Sequence, residues 1–198
     1  MAAVRRKSYM GYMDETVLKM REEKKKEKYA SLEDGIYMDG EIITFSREIL
    51  FGEISVFLPQ TMEEMPEAYA RVKYPSEFRP RIILTTLDLG VNLGFTVFPK
   101  EMPCEDIRAV AERMMAAVRR ANPDYRLYPP EELKETEGYF FPFRSHAMDS
   151  DLYNMMLAAV VGGKFVQGSF NCRYGEHKKW KETVRMIWES VLPAGKEE

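Results

Sequence analysis

The sequence predicts an α/β (α+β) domain, a mostly antiparallel sheet with helices on both faces, preceded by a charged helical extension. Three observations carry this. Two-residue turn signals recur at Asp39-Gly40 and Gly162-Gly163, and such turns join antiparallel strands. Two amphipathic helical patterns each follow a pair of strands. Residues 152–161 are apolar on both faces apart from Asn154, the pattern of a central strand covered from both sides.

Residues 1–34 stand apart as an extension, and 35–198 are expected to form one sandwich domain. An apolar stripe of Met13, Val17 and Met20 enters the run at 14–28, DETVLKMREEKKKEK, and gives way to charge alone, which reads as a solvated helix. Its sharper reading is a partner-docking helix using Met10, Met13, Val17 and Met20. From Gly35 the pattern is strand-like, with 36–38 and 41–45 flanking the Asp39-Gly40 turn. Residues 49–58 alternate, placing Leu50, Ile54, Val56 and Leu58 on one face of a strand that Pro59 closes. Residues 61–70 predict a short helix with Thr61 as N-cap. Prolines bracket a connection at 74–80, and strands follow at 81–87 and 91–98 around a turn at 88–90.

The clearest helix runs from about residue 104 to 121, where Ile107, Val110, Ala111, Met114, Met115 and Val118 share a stripe. A short strand is expected at 125–128. Residues 139–147 form a strand with Tyr139, Phe141 and Phe143 on one face, and Pro142 marks it as an edge or a bulge. The Gly162-Gly163 turn leads into a strand at 164–172. The last helix, 177–192, buries Trp180, Val184, Ile187, Trp188 and Val191.

Hydrophobic residues make up 45% of the 198 and charged residues 31%, a globular rather than a disordered composition. The net charge of -3 argues against a broad nucleic-acid footprint, which leans on excess Lys and Arg. The basic start has no apolar stretch behind it, and the longest apolar run, 155–163, falls far short of the ~20 residues that span a bilayer. With two cysteines, Cys104 and Cys172, a reducing, cytoplasmic setting with free thiols is the expectation.

Three stretches carry a family resemblance: VFLPQTMEEM at 56–65, VKYPSEFRPRIILTTLDLGVNLGFTV at 72–97 and GGKFVQGSFNCRYGEHKKW at 162–180. With the element order over 49–192, they resemble the PsbP-like and DcrB-like superfamily of α/β/α sandwiches. The charged N-terminus departs from that pattern. The resemblance implies a non-enzymatic role in binding or assembling other proteins, and it carries over no catalytic residue.

No motif carries chemistry outright. Cys104 sits where a helix dipole favours a thiolate, but Glu105 and Asp106 oppose it. Cys172 shares a strand face with Val166 and Phe170 and reads as a core thiol. His146 with Asp149 and Asp151 resembles a ligand set, although both aspartates suit a turn. GGK at 162–164 lacks the earlier glycine and the Ser or Thr of a phosphate loop.

The leading expectation is a protein-binding or adaptor module with an unknown protein partner, no cofactor, no metal, no nucleic acid and no membrane span. Its candidate partner-binding residues are Met13, Val17, Met20, Tyr74, Phe78, Tyr139 and Phe141. The alternative is a small-molecule binder or enzyme with a pocket between sheet and helix, using Cys104, His146 or Arg144. A homo-oligomeric subunit stays open.

Overall fold

The computed structural model describes the backbone of residues 2–101, 106–147 and 150–195, and side chains within these from residue 15 onward, 100 and 101 excepted. The chain divides into two compact units, Met1–Phe45 and Ser46–Glu198. The first hairpin lies in the N-terminal unit.

In that unit, α1 (Ala2–Lys28) is exposed along every side chain from 15 to 28, as a charge run without an apolar face must be. Three short antiparallel strands follow: β1 (Ala30–Ser31), β2 (Gly35–Met38) and β3 (Glu41–Ile43). Asp39 (φ 51°) and Gly40 (φ 92°) make the left-handed turn that the dipeptide announces. The Lys25 ammonium lies 5.3 Å from the Tyr37 ring centroid, and Tyr37 N–H donates to the Tyr29 carbonyl.

The second unit opens with β4 (Phe45–Leu50) and β5 (Ile54–Pro59). The sequence reads 49–58 as one strand. The chain instead folds back at Phe51 (φ 59°) and Gly52 (φ 69°), closed by a Glu53 N–H bond to the Leu50 carbonyl at 3.1 Å. Periodicity misses this turn because Leu50 and Ile54 on either side of it are both buried.

The expected helix at 61–70 is also displaced. Residues 63–64 pair as β6 (Glu63–Glu64), and α2 (Glu67–Lys73) starts behind Pro66, so Thr61 caps nothing. Pro66 fixes φ at -55° with extended ψ, which suits the residue before a helix.

Next come β7 (Ile82–Thr85), β8 (Asn92–Glu101), α3 (Ile107–Ala121), β9 (Arg126–Leu127) and β10 (Glu131–Glu132). The chain ends with β11 (Gly138–His146), β12 (Asp151–Val161), β13 (Lys164–Arg173), a 3₁₀ turn at Tyr174–Glu176, α4 (His177–Glu189) and β14 (Leu192–Pro193).

Eight strands form one antiparallel sheet in the order β10-β11-β12-β13-β8-β7-β6, with β9 also on β11. A smaller sheet runs β14-β5-β4. β12 is central, as expected. β11 is no edge strand: β12 pairs along its length, and β10 and β9 cover parts of its other side. Pro142 falls between those two short strands, where its missing N–H costs no ladder bond to either.

Alternation on β12 separates two cores. Ala158 and Val160 face α3, meeting Ile107, Val110 and Ala111 together with Phe165. Packing against α4 brings the Phe140 and Trp188 rings to 5.7 Å and the Phe170 and Trp180 rings to 6.1 Å. Gly168 lets Trp188 approach β13 closely: a Cβ there would lie 2.9 Å from Leu157 Cβ and 3.2 Å from Trp188 Nε1. Among the described residues, no helix is long and apolar enough to cross a membrane.

Candidate functional site

The structure scatters the residues that the sequence singles out. Phe141 is 0% exposed, and its ring lies 6.2 Å from that of Phe143. It cannot meet a partner, which corrects that expectation. Tyr139 is half-buried against the α3 core. Tyr74 is half-buried too, and Asn171 Nδ2–H donates to its hydroxyl at 2.6 Å. Phe78 is 92% exposed, and Val17 and Met20 on α1 are exposed. Met13 and Cys104 lie outside the described side chains and residues.

Several exposed apolar side chains of the second unit lie on α2 and the β7–β8 turn. Tyr69 and Val72 are three residues apart on α2, so they share a face, and Val72 is 81% exposed. Leu87, 89% exposed, stands on a turn held from within. Thr86 Oγ1–H donates to Asp88 Oδ1 at 2.6 Å, Gly90 N–H donates to the same oxygen, and Leu89 N–H donates to the Thr86 carbonyl. These bonds hold the Asp88 carboxyl below its ordinary pKa, the Thr86 hydroxyl contributing most. Lys73 of α2 donates to the Leu89 carbonyl and ties helix to turn. A groove of about 190 Å³ runs between them, lined by Tyr69, Leu87 and Leu89 on one side and by Glu63 and Glu64 on the edge strand. The sequence singles out Phe78, in the connection after α2, and misses Tyr69 and Val72, whose exposure depends on where the short helix starts, and Leu87 on the turn.

A second cluster lies near the β11–β12 hairpin end. Asp151 accepts from Arg144 through both Nε and a terminal nitrogen, and from His146 Nδ1–H at 2.6 Å. Arg144 first, then His146, holds the Asp151 carboxyl below its ordinary value. Asp149 lies outside the described residues, and Asp151 is shared between Arg144 and His146. Among the described residues no three His, Cys, Asp or Glu side chains gather as a metal site. Cys172 is buried opposite Tyr153, and burial pushes its thiol up to about 12. It is therefore a core thiol rather than a nucleophile.

Beside this cluster the Arg144 guanidinium lies 4.3 Å from the Tyr174 ring centroid, and Tyr174 stacks on His177 at 4.7 Å. His177 in turn meets Tyr153 at 5.2 Å. These rings border a cavity of about 350 Å³ between sheet and helix, with Tyr128, Glu131 and Lys181 on its walls. A pocket thus exists where the sequence anticipates one. Its lining does not include Arg144, His146 or any described cysteine. Tyr128, Tyr153 and Tyr174 come from three separate elements, so no spacing in the sequence announces them.

No protein-family model matches the chain, and no curated protein sequence matches it. Solved structures do. Cyanobacterial PsbP (CyanoP) from Synechocystis is similar at TM-score 0.53 and 15% identity, covering 79% of this chain and 96% of its own. LpqN of Mycobacterium tuberculosis, involved in cell envelope biogenesis, aligns at TM-score 0.49 and 11% identity over 83% of this chain and 98% of its own. The Saccharomyces cerevisiae Ran-binding protein Mog1p aligns at TM-score 0.44 and 7% identity over 75% and 95%. The CyanoP likeness establishes the fold: the chain has the PsbP-like α/β architecture.

Proposed function

We propose that the Ser46–Glu198 unit is a non-enzymatic protein-binding module that docks a basic, apolar segment of another protein on the face of α2 and the β7–β8 turn. The observation that carries this reading is that exposed Tyr69 and Leu87 line one groove, with exposed Val72 one helical turn from Tyr69 on α2. Exposed apolar clusters with polar rims mark interaction sites, since a monomer gains nothing by wetting them. Phe78, in the connection that follows α2, supplies an aromatic anchor of the kind that dominates interface energies. Glu63 and Glu64 are exposed and make no ion pair among the described residues, so the groove favours Lys or Arg beside the partner's apolar anchor. Val17 and Met20 on α1 are a second place for a partner to rest. The free Cys172 thiol agrees with the cytoplasmic setting included in this reading.

Selection of a random peptide library on the full chain tests it. The expected sequences carry Lys or Arg next to an aromatic or aliphatic residue, and their binding shifts NMR signals of Tyr69, Val72 and Leu87. Val72→Glu with Leu87→Asp should abolish binding while thermal stability holds. Acidic consensus peptides, or shifts confined to other surfaces, would overturn the reading.

A further inference from the structure

The cavity between β12 and α4 is independent of that docking face, and its chemistry points to a different ligand. Tyr153 is 4% exposed, and its side chain lines the cavity. Its hydroxyl is not a buried unsatisfied group, so its tip opens to the cavity, where a ligand can accept from it in place of water. Burial, and then the Glu131 carboxylate, raise the Tyr153 pKa, so the group is a neutral O–H donor at every physiological pH. The cavity volume of about 350 Å³ lies within the range of small-molecule sites. Its surface is mostly ring carbon, from Tyr128, Tyr153, Tyr174 and His177.

Charge selects the ligand's sign. Lys181 lies on the wall, 3.3 Å from Glu131, and its ammonium has donors to spare. Arg126 sits 5.5 Å from the Tyr128 ring centroid and Arg144 lies over Tyr174. Against these three cations stand Glu131 on the wall and Asp151, which Arg144 holds. An arriving cation would find the ring faces already visited by guanidinium groups. An anion would find Lys181 and the Tyr153 O–H.

We propose that this cavity binds a small aromatic carboxylate, its ring against the tyrosine walls and its carboxylate on the Tyr153 hydroxyl and the Lys181 ammonium. Specificity follows from the walls: planar rings gain contact that saturated rings of the same charge do not.

Titration calorimetry and NMR of the full chain with benzoate and indole-3-carboxylate test the proposal. Both should saturate, the larger ring more tightly, and should shift signals of Tyr128, Tyr153 and His177. Tyr153→Phe keeps the ring and removes only the hydroxyl, so it should weaken binding about fivefold to tenfold with an unchanged fold. Lys181→Met should weaken it at least about tenfold. Cyclohexanecarboxylate should bind more weakly than benzoate. No saturable binding of either carboxylate, equal affinity in Tyr153→Phe, or tighter binding of benzylammonium than of benzoate would overturn it.

Discussion

Asn171 Nδ2–H donates to the Tyr74 hydroxyl at 2.6 Å, and this bond is one end of a buried chain. Asn92 Nδ2–H donates to Asn171 Oδ1 at 2.9 Å, and Thr85 Oγ1–H donates to Asn92 Oδ1 at 2.8 Å. The chain crosses β7, β8 and β13 and reaches the residue that ends α2. It spends the polar end of Tyr74 inside the protein, which is why Tyr74 cannot serve the docking face as Phe78 can. Asn92→Ala leaves Asn171 Oδ1 without its donor, and Thr85 with only its longer bonds to the Thr86 and Val91 carbonyls, and should cost about 1 to 3 kcal/mol by urea denaturation. Tyr74→Phe removes only the terminal bond and should cost about 1 kcal/mol.

Alkali should loosen the fold through three buried acids. Cys172, ordinarily near 9.0, is pushed to about 12, and Tyr74 and Tyr153 are raised above their ordinary 10.0, each mainly by burial. A raised folded-state pKa means the native state keeps its proton where the unfolded chain has lost it. Stability is therefore full below about pH 9 and falls as pH climbs above it. Cys172→Ala should cost stability at pH 7 but flatten the decline between pH 9 and 11, read as urea midpoints across that range.

Acid works through Asp151 with the opposite sign. Its pKa is depressed from 3.8 by Arg144 first and His146 second. The contribution is present above 3.8 and is lost as pH falls through the lower folded value. Asp151→Asn should remove that part of the acid transition, read as urea midpoints that fall less steeply below about pH 4 than those of the unsubstituted chain.

Substitutions on the docking face should leave the fold alone. Val72→Glu and Phe78→Ser replace side chains that touch little, so each should change unfolding free energy by less than about 0.5 kcal/mol. A larger loss for Phe78→Ser would mean that the ring is packed in solution rather than free.

Much of the fold is legible in sequence where one physical rule dominates. Asp39-Gly40 and Gly162-Gly163 sit at turns needing positive φ, and the stripes of α3 and α4 match their buried faces. Residues 152–161 read correctly as a central strand because both faces lack charge. The failures share a cause. Phe51 is not a turn residue by preference, yet it takes φ 59°, so the hairpin between Leu50 and Glu53 leaves no signature. Phe141 lies on a strand that Pro142 marks as an edge, yet β9 and β10, two residues each, pair along its other side and the Phe141 ring is fully buried. Docking face and cavity both depend on such long-range pairings, and local patterns do not encode them.

Gly168 and Trp188 give the sharpest test of packing. Trp188 is fully buried, and its Nε1–H finds no hydrogen-bond partner among the described residues. Gly168→Ala would drive a methyl against Leu157 Cβ at 2.9 Å and against that indole nitrogen, and should cost about 1 to 3 kcal/mol. Trp188→Phe also loses contact with Phe140, yet it removes an N–H whose burial is unfavourable. Its cost should therefore stay under about 3 kcal/mol, below that of truncation to Ala. Combining the two tests the contact directly. The smaller ring makes room for the new methyl, so the double variant should be more stable than the sum of the single losses predicts. Simple additivity in denaturant unfolding would place the Gly168 constraint with Leu157 instead.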